Sequence, residues 1–209
     1  MNSGSKDPEL QLEPGVFRPR GQESVERQGS SDPGDGTPVA LLRAVANPFR
    51  LCDSDYAGRQ RYFLTICTFR RRKHFTDGAL VDRLRSQFLH TSEAHDMAIL
   101  AYCFMPDHYH AVVEGIGEHA RLPTFVHRAK QLTGFAFKRM TGEPLWQRSY
   151  FDRTLRSEDA LPKAIGYLIA NPIRAGLVDT TDAYPYWGSE KWTRTELLEF
   201  LVNEGVLRG

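Results

Sequence analysis

Two histidines in residues 105–110 (MPDHYH) are the residues of this chain whose spacing most directly indicates chemistry. One residue separates them, and the apolar run that follows predicts a β-strand. Side chains two positions apart on a strand point to the same face, so His108 and His110 can present two imidazoles to one point, as a metal site requires. On spacing alone, a pair of strand histidines hydrogen-bonded to polar neighbours is the simpler interpretation.

A second candidate pair lies in residues 167–178 (YLIANPIRAGLV). Tyr167 and Asn171 are four residues apart and share one face if a helix persists to Asn171. A phenol and an amide on one face suit a metal-assisted tyrosine nucleophile, because the amide oxygen can bind a hard cation while the phenol attacks a phosphate. Periodicity alone favours the alternative, in which Tyr167 is a core aromatic residue and Asn171 a helix terminator.

Four segments that could position these residues predict β-strands. They are residues 62–69, 97–105, 108–114 and 150–156, of which the last is the least apolar. Only Pro106 and Asp107 separate the second from the third, so these two strands are expected to form a hairpin.

Helical patterns separate the strands. Thr76 and Asp77 can cap a helix from Gly78 to about His95, and Pro123 can open a helix that runs to about Thr141. The apolar positions of the first helix are Leu80, Leu84, Phe88 and Leu89. Those of the second helix are Phe125, Ala129, Leu132, Ala136 and Met140.

A third helix is predicted from Ala160 to about Ile169, capped by residues 157–159 and interrupted at Asn171-Pro172, since the residue before proline is pushed out of the helical region. The order β-α-β-β-α-β predicts an α+β fold, a ferredoxin-like sandwich with a four-stranded antiparallel sheet, followed by the helix that carries Tyr167.

The chain divides into three segments by composition. Residues 1–45 are polar and rich in Gly, Pro and Ser, and predict a disordered leader. Residues 46–180 form the predicted folded domain. Residues 181–209 form a tail in which residues 195–201 predict a short amphipathic helix, expected to pack on the body rather than to reach the site as an autoinhibitory element.

The composition indicates a cytoplasmic protein. No apolar run is long enough to span a membrane, and no signal peptide is apparent. The three cysteines are far apart and form no CxxC pair, which argues against a zinc ribbon or a disulfide framework. The first 38 residues carry four basic and seven acidic side chains, which leaves the remainder mildly basic and compatible with a nucleic-acid partner.

Three ordered blocks together resemble one known family. They are residues 105–113 (MPDHYHAVV), 145–152 (LWQRSYFD) and 167–178 (YLIANPIRAGLV). This combination is similar to the REP-associated tyrosine transposases, single-tyrosine relatives of the HUH (His-hydrophobic-His) insertion-sequence transposases. The resemblance covers roughly residues 49–187 and also implies a ferredoxin-like core.

The resemblance implies a role for each candidate residue. His108 and His110 match the pair that binds Mg²⁺ or Mn²⁺, Tyr167 matches the nucleophile, and Asn171 matches a third, amide-bearing ligand. The implied reaction is cleavage of single-stranded DNA through a 5′-phosphotyrosine, followed by strand transfer. The implied partner is a hairpin from a repetitive palindromic element with flanking bases, and the implied setting is the nucleoid.

Basic and aromatic side chains are candidates for contacts with that DNA. Trp146, Tyr150 and Phe151 could stack on unpaired bases, although Trp146 is better explained as a core residue. A solvated charged loop is an equally good explanation of residues 70–73. The basic candidates are Arg70, Arg71, Arg72, Lys73, Arg128, Lys130, Arg148, Arg153 and Arg174.

Two other functions stay open on the sequence. A domesticated nucleic-acid-binding module would keep the fold without turnover. A hydrolase using the histidines alone would leave the Tyr167 and Asn171 block unexplained. We expect a monomer that acts in cis, as in REP-associated members, whereas larger insertion-sequence relatives are dimers that act in trans.

Overall fold

The computed structural model describes residues 56–157 and 160–207, so the predicted disordered leader and most of the predicted cap of the third helix lie outside the described residues. Within them, five strands form one antiparallel sheet in the order β4-β1-β3-β2-β5. The strands are β1 (Arg61–Cys67), β2 (Met97–Met105), β3 (His108–Gly115), β4 (Phe151–Thr154) and β5 (Trp187–Gly188). The predicted ferredoxin-like sandwich is confirmed, with β5 as a short addition beside β2.

Helices cover both faces of this sheet. In the described residues they are α1 (Gly78–Glu93), α2 (Leu122–Thr141), α3 (Ala160–Arg174) and α4 (Arg194–Asn203). α1 and α2 pack on one face, over Leu64 and Ile66 of β1. α3 and α4 pack on the other, over Phe63 and Val112, and we call this the α3 face. None of these helices combines the length and hydrophobicity that crossing a membrane requires.

The alternation of side chains along β3 divides this strand between the two layers. Tyr109 and Val113 belong to the core beneath α1 and α2, whereas Val112 belongs to the core beneath α3. His110 lies on the α3 face, where its ring contacts that of Tyr167. The histidine pair is therefore carried by a strand whose opposite face is anchored in the main core.

α1 begins at its predicted cap. The side chain of Asp77 accepts a hydrogen bond from the backbone N–H of Ala79 at 2.9 Å, which satisfies one donor of the first helical turn. Leu80, Leu84 and Phe88 are buried beneath it, as predicted. This helix thereby covers the sheet face opposite the histidines.

The predicted apolar face of α2 is wrong in the second half of the helix. Leu132 is only half-buried, while Ala136 and Met140 are exposed. The buried residues of α2 are Leu122, Phe125, Val126, Ala129, Thr133 and Phe137. The indole N–H of Trp146 donates to the hydroxyl of Thr133 at 2.8 Å. Thr133 is therefore buried because its hydroxyl bonds to Trp146, which follows the helix in the chain. A pattern of apolar residues could not indicate this polar position.

α3 continues through the Asn171-Pro172 step, where an interruption was predicted. Pro172 has no N–H to donate to the carbonyl of Leu168, and that loss normally disfavours a helix. Pro172 and the apolar residues Leu168 and Ile169 of the preceding turn are buried, while Asn171 is half-buried, and we attribute the continuity of the helix to the packing of this buried face. Tyr167 and Asn171 consequently lie one turn apart on a single helix.

Glycine, rather than proline, ends the helix. Gly176 adopts φ +66°, a left-handed conformation that glycine tolerates without a Cβ penalty. Its N–H donates to the carbonyl of Ile173 at 2.9 Å, and the N–H of Leu177 donates to that of Pro172 at 3.0 Å. This pair of bonds is a Schellman motif, which satisfies the last carbonyls of α3.

The C-terminal segment packs against α3. Thr193 and Glu196 form a reciprocal capping box at the start of α4, and Leu197 and Leu201 are buried in the same core as α3. A Cβ on Gly166 would lie 2.5 Å from a methyl carbon of Val206. α3 and the C-terminal segment are therefore in close contact at the residue next to Tyr167.

Alanine substitutions at two glycines test this account of α3. Gly176→Ala should lower the free energy of unfolding by about 1–2 kcal/mol, because an L-residue is strained at positive φ. Gly134→Ala, inside α2, should raise it by about 0.5–1 kcal/mol, because a Cβ there meets Trp146 only at 3.6 Å and alanine favours a helix. Urea denaturation measures both. Shifts in the same direction would contradict the left-handed cap.

Candidate functional site

Strand register brings the two histidines beside β1 on the α3 face. His110 pairs with Thr65, and His108 pairs with Cys67. Directly paired residues of antiparallel strands point to the same face, so all four side chains lie on this side of the sheet. His110 is only 5% exposed, whereas His108 is half-buried.

The imidazoles form the centre of a hydrogen-bonded chain. The Nε2 atoms of His108 and His110 are 2.9 Å apart. On their other sides, His108 Nδ1 lies 2.6 Å from Asp107 Oδ1, and His110 Nδ1 lies 2.9 Å from the hydroxyl of Thr65. An ionised carboxylate only accepts, so His108 donates through Nδ1 and its Nε2 lone pair faces His110. The threonine hydroxyl can serve either tautomer of His110.

Burial keeps both histidines neutral. Desolvation lowers the pKa of His108, an effect that the hydrogen bond donated by His108 to Asp107 partly opposes. Desolvation and the neighbouring His108 hold the pKa of His110 well below its ordinary value. Neutral imidazoles with convergent Nε2 atoms are the form in which histidine binds metal ions.

α3 places Tyr167 above this pair. Its ring centroid is 6.5 Å from that of His110 and 5.9 Å, edge-on, from that of Phe63. The guanidinium carbon of Arg174 lies 4.7 Å from the same ring centroid. The structure therefore brings His108, His110 and Tyr167 together, as the sequence analysis required, and adds a cation at the phenol.

Asn171 supplies a polar group on the next turn of α3. Its amide nitrogen is buried and has no hydrogen-bond partner among the described residues. An unsatisfied buried amide is rare, because leaving such a group unpaired costs about 1–3 kcal/mol. Among the described residues, no three His, Cys, Asp or Glu side chains form a metal-binding cluster. If Asn171 supplies a third ligand, the ligating atom is its side-chain oxygen rather than this nitrogen.

Arg71 links the basic turn after β1 to the histidines. Its Nε lies 2.9 Å from Asp107 Oδ2, and it donates through Nη1 to the thiol of Cys67 at 2.9 Å. Arg70 and Arg71 both adopt left-handed conformations, with φ of 57° and 55°. Such backbone strain in successive non-glycine residues requires strong local support and is concentrated at functional sites.

The predicted DNA-contacting cations lie on more than one surface. Arg70 to Lys73 form the exposed turn after β1, where Arg72 pairs with Glu143. Arg148 is exposed between α2 and β4. Arg153 lies on β4 opposite Phe63, and therefore on the α3 face with Arg174. Of these cations, Arg71 contacts Asp107 beside His108, and Arg153 and Arg174 lie on the same sheet face as the histidine pair.

The two candidates on α2 lie on the other side of the sheet. Arg128 donates to Gln131 within the helix. The ammonium of Lys130 donates to the backbone carbonyls of Gln147, Arg148 and Ser149, at 2.9, 2.9 and 3.2 Å. These bonds hold the segment that leads into β4, so Lys130 has a structural role whether or not it also contacts DNA.

The three aromatic candidates differ sharply in exposure. Trp146 and Tyr150 are buried at 8% and 7% exposure and belong to the core beneath α1 and α2. Phe151 is 44% exposed. Only Phe151 of the three presents its ring to solvent, and it does so from β4 on the α3 face.

The sequence patterns did not identify the residues that orient the histidines. The position of Asp107 between two strands predicts only a turn residue, although a carboxylate directly before a strand histidine is also a signal of a second group at the site. Thr65 gave no such signal, because its proximity to His110 follows from the register of β1 against β3. The contact between Arg71 and Asp107 depends in the same way on tertiary structure.

Comparison with known proteins identifies the family of this chain. The family described as "Transposase IS200 like" matches residues 58–168, just over half of the chain, and the matched region includes the histidine pair and Tyr167. A Haemophilus influenzae protein provisionally named a REP-associated tyrosine transposase is 26% identical over 156 residues, which span 68% of this chain and 87% of that relative.

One solved structure shares the fold. A REP-associated tyrosine transposase bound to a REP hairpin superposes with a TM-score of 0.57 at 17% identity, covering 68% of this chain and 82% of that one. A crystal structure of a provisionally named transposase from Deinococcus radiodurans R1 gives a TM-score of 0.42 at 22% identity, covering 54% and 90% of the two chains. The family match extends from just before β1 to Tyr167. The resemblance inferred from the three sequence blocks is confirmed, and this chain belongs to the IS200-like family of tyrosine transposases.

Proposed function

We propose that this chain is a metal-dependent single-stranded DNA endonuclease and strand transferase in which Tyr167 is the nucleophile. The observation that carries the proposal is the position of the Tyr167 ring, 6.5 Å from His110 on the face where the two Nε2 atoms converge. A nucleophile and a pair of neutral imidazoles at one point suit attack on a phosphodiester. The relative solved with a REP hairpin supports hairpin DNA as the substrate.

The donor atoms fit a divalent cation. Two nitrogen ligands about 2.1 Å from one ion lie about 3 Å apart when they bind at right angles, and the Nε2 atoms are 2.9 Å apart. Asp107 and Thr65 orient the rings from behind, as carboxylates and hydroxyls do for metal-binding histidines. His108, His110 and the amide of Asn171 would hold Mg²⁺ or Mn²⁺. When bound, the cation would polarise the scissile phosphate and offset its developing charge.

Tyr167 performs the covalent step. Its phenol oxygen forms a bond to phosphorus, and the bond from phosphorus to the 3′ oxygen breaks. The proton given up by the phenol balances the one that the departing 3′ oxygen takes up. A 5′-phosphotyrosine and a free 3′-OH result. Attack by a 3′-OH on this linkage rejoins DNA without ATP, because the number of phosphoester bonds is conserved.

Cations on the same face complete the site. Arg174 lies over the Tyr167 ring, where its guanidinium is placed to contact a phosphate next to the phenol. Arg71 forms an ion pair with Asp107, and the same carboxylate accepts a hydrogen bond from the His108 ring. Asp107 therefore fixes both the basic turn and His108. The backbone phosphates of the DNA and the reacting phosphate would thus meet positive charge from two sides.

Tyr167→Phe tests the nucleophile. We expect wild-type protein, incubated with Mn²⁺ and a labelled hairpin that carries single-stranded flanks, to form a covalent protein–DNA adduct that denaturing electrophoresis detects. The variant should form none, because it has no phenol oxygen. It should bind the hairpin normally in EDTA, because the phenylalanine ring keeps the contacts with His110 and Arg174.

Tyr186→Phe is the matched control, since within residues 56–157 and 160–207 the hydroxyl of Tyr186 donates only a long hydrogen bond, 3.4 Å, to the backbone carbonyl of Thr76. It should form adduct at the wild-type rate. Cleavage that persists in Tyr167→Phe without an adduct would contradict the proposal in favour of a hydrolase. Tight binding by wild-type protein without any adduct would contradict it in favour of a binding module.

Asp107→Asn tests the metal site independently of catalysis. We expect the affinity for Mn²⁺, titrated into DNA-free protein and followed by electron paramagnetic resonance, to fall about 10- to 100-fold, because the carboxylate orients His108. Asp82→Asn on α1 is the control, because its carboxylate pairs with Arg85 in the same helix. Equal Mn²⁺ affinity in the two variants would show that Asp107 orients no ligand.

A further inference from the structure

α3 leaves part of its own sheet face uncovered. The helix packs over β2 and β3, and the side of β4 that faces the same way remains exposed. Phe151 and Arg153 are the exposed residues of β4, whereas Asp152 points to the opposite face and accepts a hydrogen bond from Tyr56 at 2.8 Å. A large aromatic ring is thus presented to solvent from an edge strand, beside the site.

Strand register connects this ring to the histidines. Phe151 pairs with Thr65, and Thr65 pairs with His110. The three residues form a cross-strand row on one face, and the outer two backbones are about 10 Å apart at the usual strand spacing. The hydroxyl of Thr65 is hydrogen-bonded to the His110 ring. Phe151 therefore lies beside the residue that orients His110, a proposed metal ligand.

The neighbouring row adds positive charge. Arg153 pairs with Phe63, whose ring lies 5.9 Å from that of Tyr167. An exposed aromatic ring and an arginine two residues apart on one strand face match the two parts of a nucleotide, a base and a phosphate. Single-strand binders combine these same elements, because every base has a face for stacking whatever its sequence.

We infer that Phe151 is the stacking platform for an unpaired base of the DNA strand that enters the site, with Arg153 contacting the adjoining phosphate. The inference rests on the proposed function, because it assigns a path to the substrate of that same site. It goes further by naming the edge strand as the surface that orients the single-stranded flank towards Tyr167.

Exposure and position distinguish Phe151 from the other aromatic residues near β4. The buried Trp146 and Tyr150 face the other core. Phe135 is more exposed than Phe151, at 64%, yet it belongs to α2 on the far side of the sheet. Phe135 is therefore a control of the same residue type that lacks the proposed location.

Binding measurements with the full chain in EDTA test the inference without any cleavage. Fluorescence anisotropy compares a labelled hairpin that has single-stranded flanks with the same hairpin made blunt. Phe151→Leu should weaken binding to the flanked hairpin roughly 5- to 150-fold, the range expected for loss of one stacked base, and leave binding to the blunt hairpin unchanged. Phe151→Trp should bind the flanked hairpin as tightly as the wild type, because it keeps an aromatic ring at this position. Phe135→Leu should bind both hairpins as the wild type does.

A spectroscopic readout separates stacking from a structural role. With 2-aminopurine placed in turn at each flanking position, wild-type protein should quench one position on binding, and Phe151→Leu should not. Arg153→Gln should make the affinity for the flanked hairpin less dependent on salt, lowering the slope by about 0.7 for one phosphate contact. Equal loss on both hairpins, or no loss on either, would overturn the inference.

The two proposals fail in different ways. Absence of the Tyr167 adduct together with flank-dependent effects at Phe151 would reject the proposed reaction and leave the stacking platform supported. Normal adduct formation together with flank-independent binding by Phe151→Leu would reject the platform and leave the reaction supported.

Discussion

The antiparallel pairing of β1 with β3 is the constraint on which the rest of the site depends. It places Thr65 beside His110 and Cys67 beside His108 on the α3 face. The opposite side chains of β3, including the fully buried Tyr109, are held in the core beneath α1 and α2. A slip of one residue would turn both histidines into that core and bring Tyr109 out, so burial of the apolar set maintains the register.

The two faces of the sheet have different tasks. The face beneath α1 and α2 is packed with aromatic rings, among them the stacked pair Phe88 and Tyr109. The α3 face holds the polar chain from Asp107 to Thr65 beneath a partly covering helix. Low solvent access keeps the imidazoles neutral there, while the open side at β4 leaves room for a substrate. A rigid core on one side thus supports a partly open site on the other.

Sequence patterns predicted most of this architecture but failed at two helices. The order of strands and helices and the cap at Asp77 follow from local signals, namely β-branched runs and a side chain that can bond a free N–H. The predicted end of the helix at Asn171 was wrong because burial of α3 outweighs the hydrogen bond lost at Pro172. The helix ends instead at the C-cap that Gly176 forms. The prediction for the second half of α2 was wrong because a hydrogen bond from Trp146 places Thr133 on the buried face.

By itself, the sequence determined that His108 and His110 share a strand face, that a tyrosine and an amide follow at helical spacing, and that the chain resembles a transposase family. Those conclusions need only the periodicities of single elements and short motifs. Tertiary structure alone decided that Tyr167 stands over His110, that Thr65 orients the His110 ring, and that Phe151 is exposed while Tyr150 is buried. Register and burial arise from contacts between residues distant in the chain, and no local pattern encodes them.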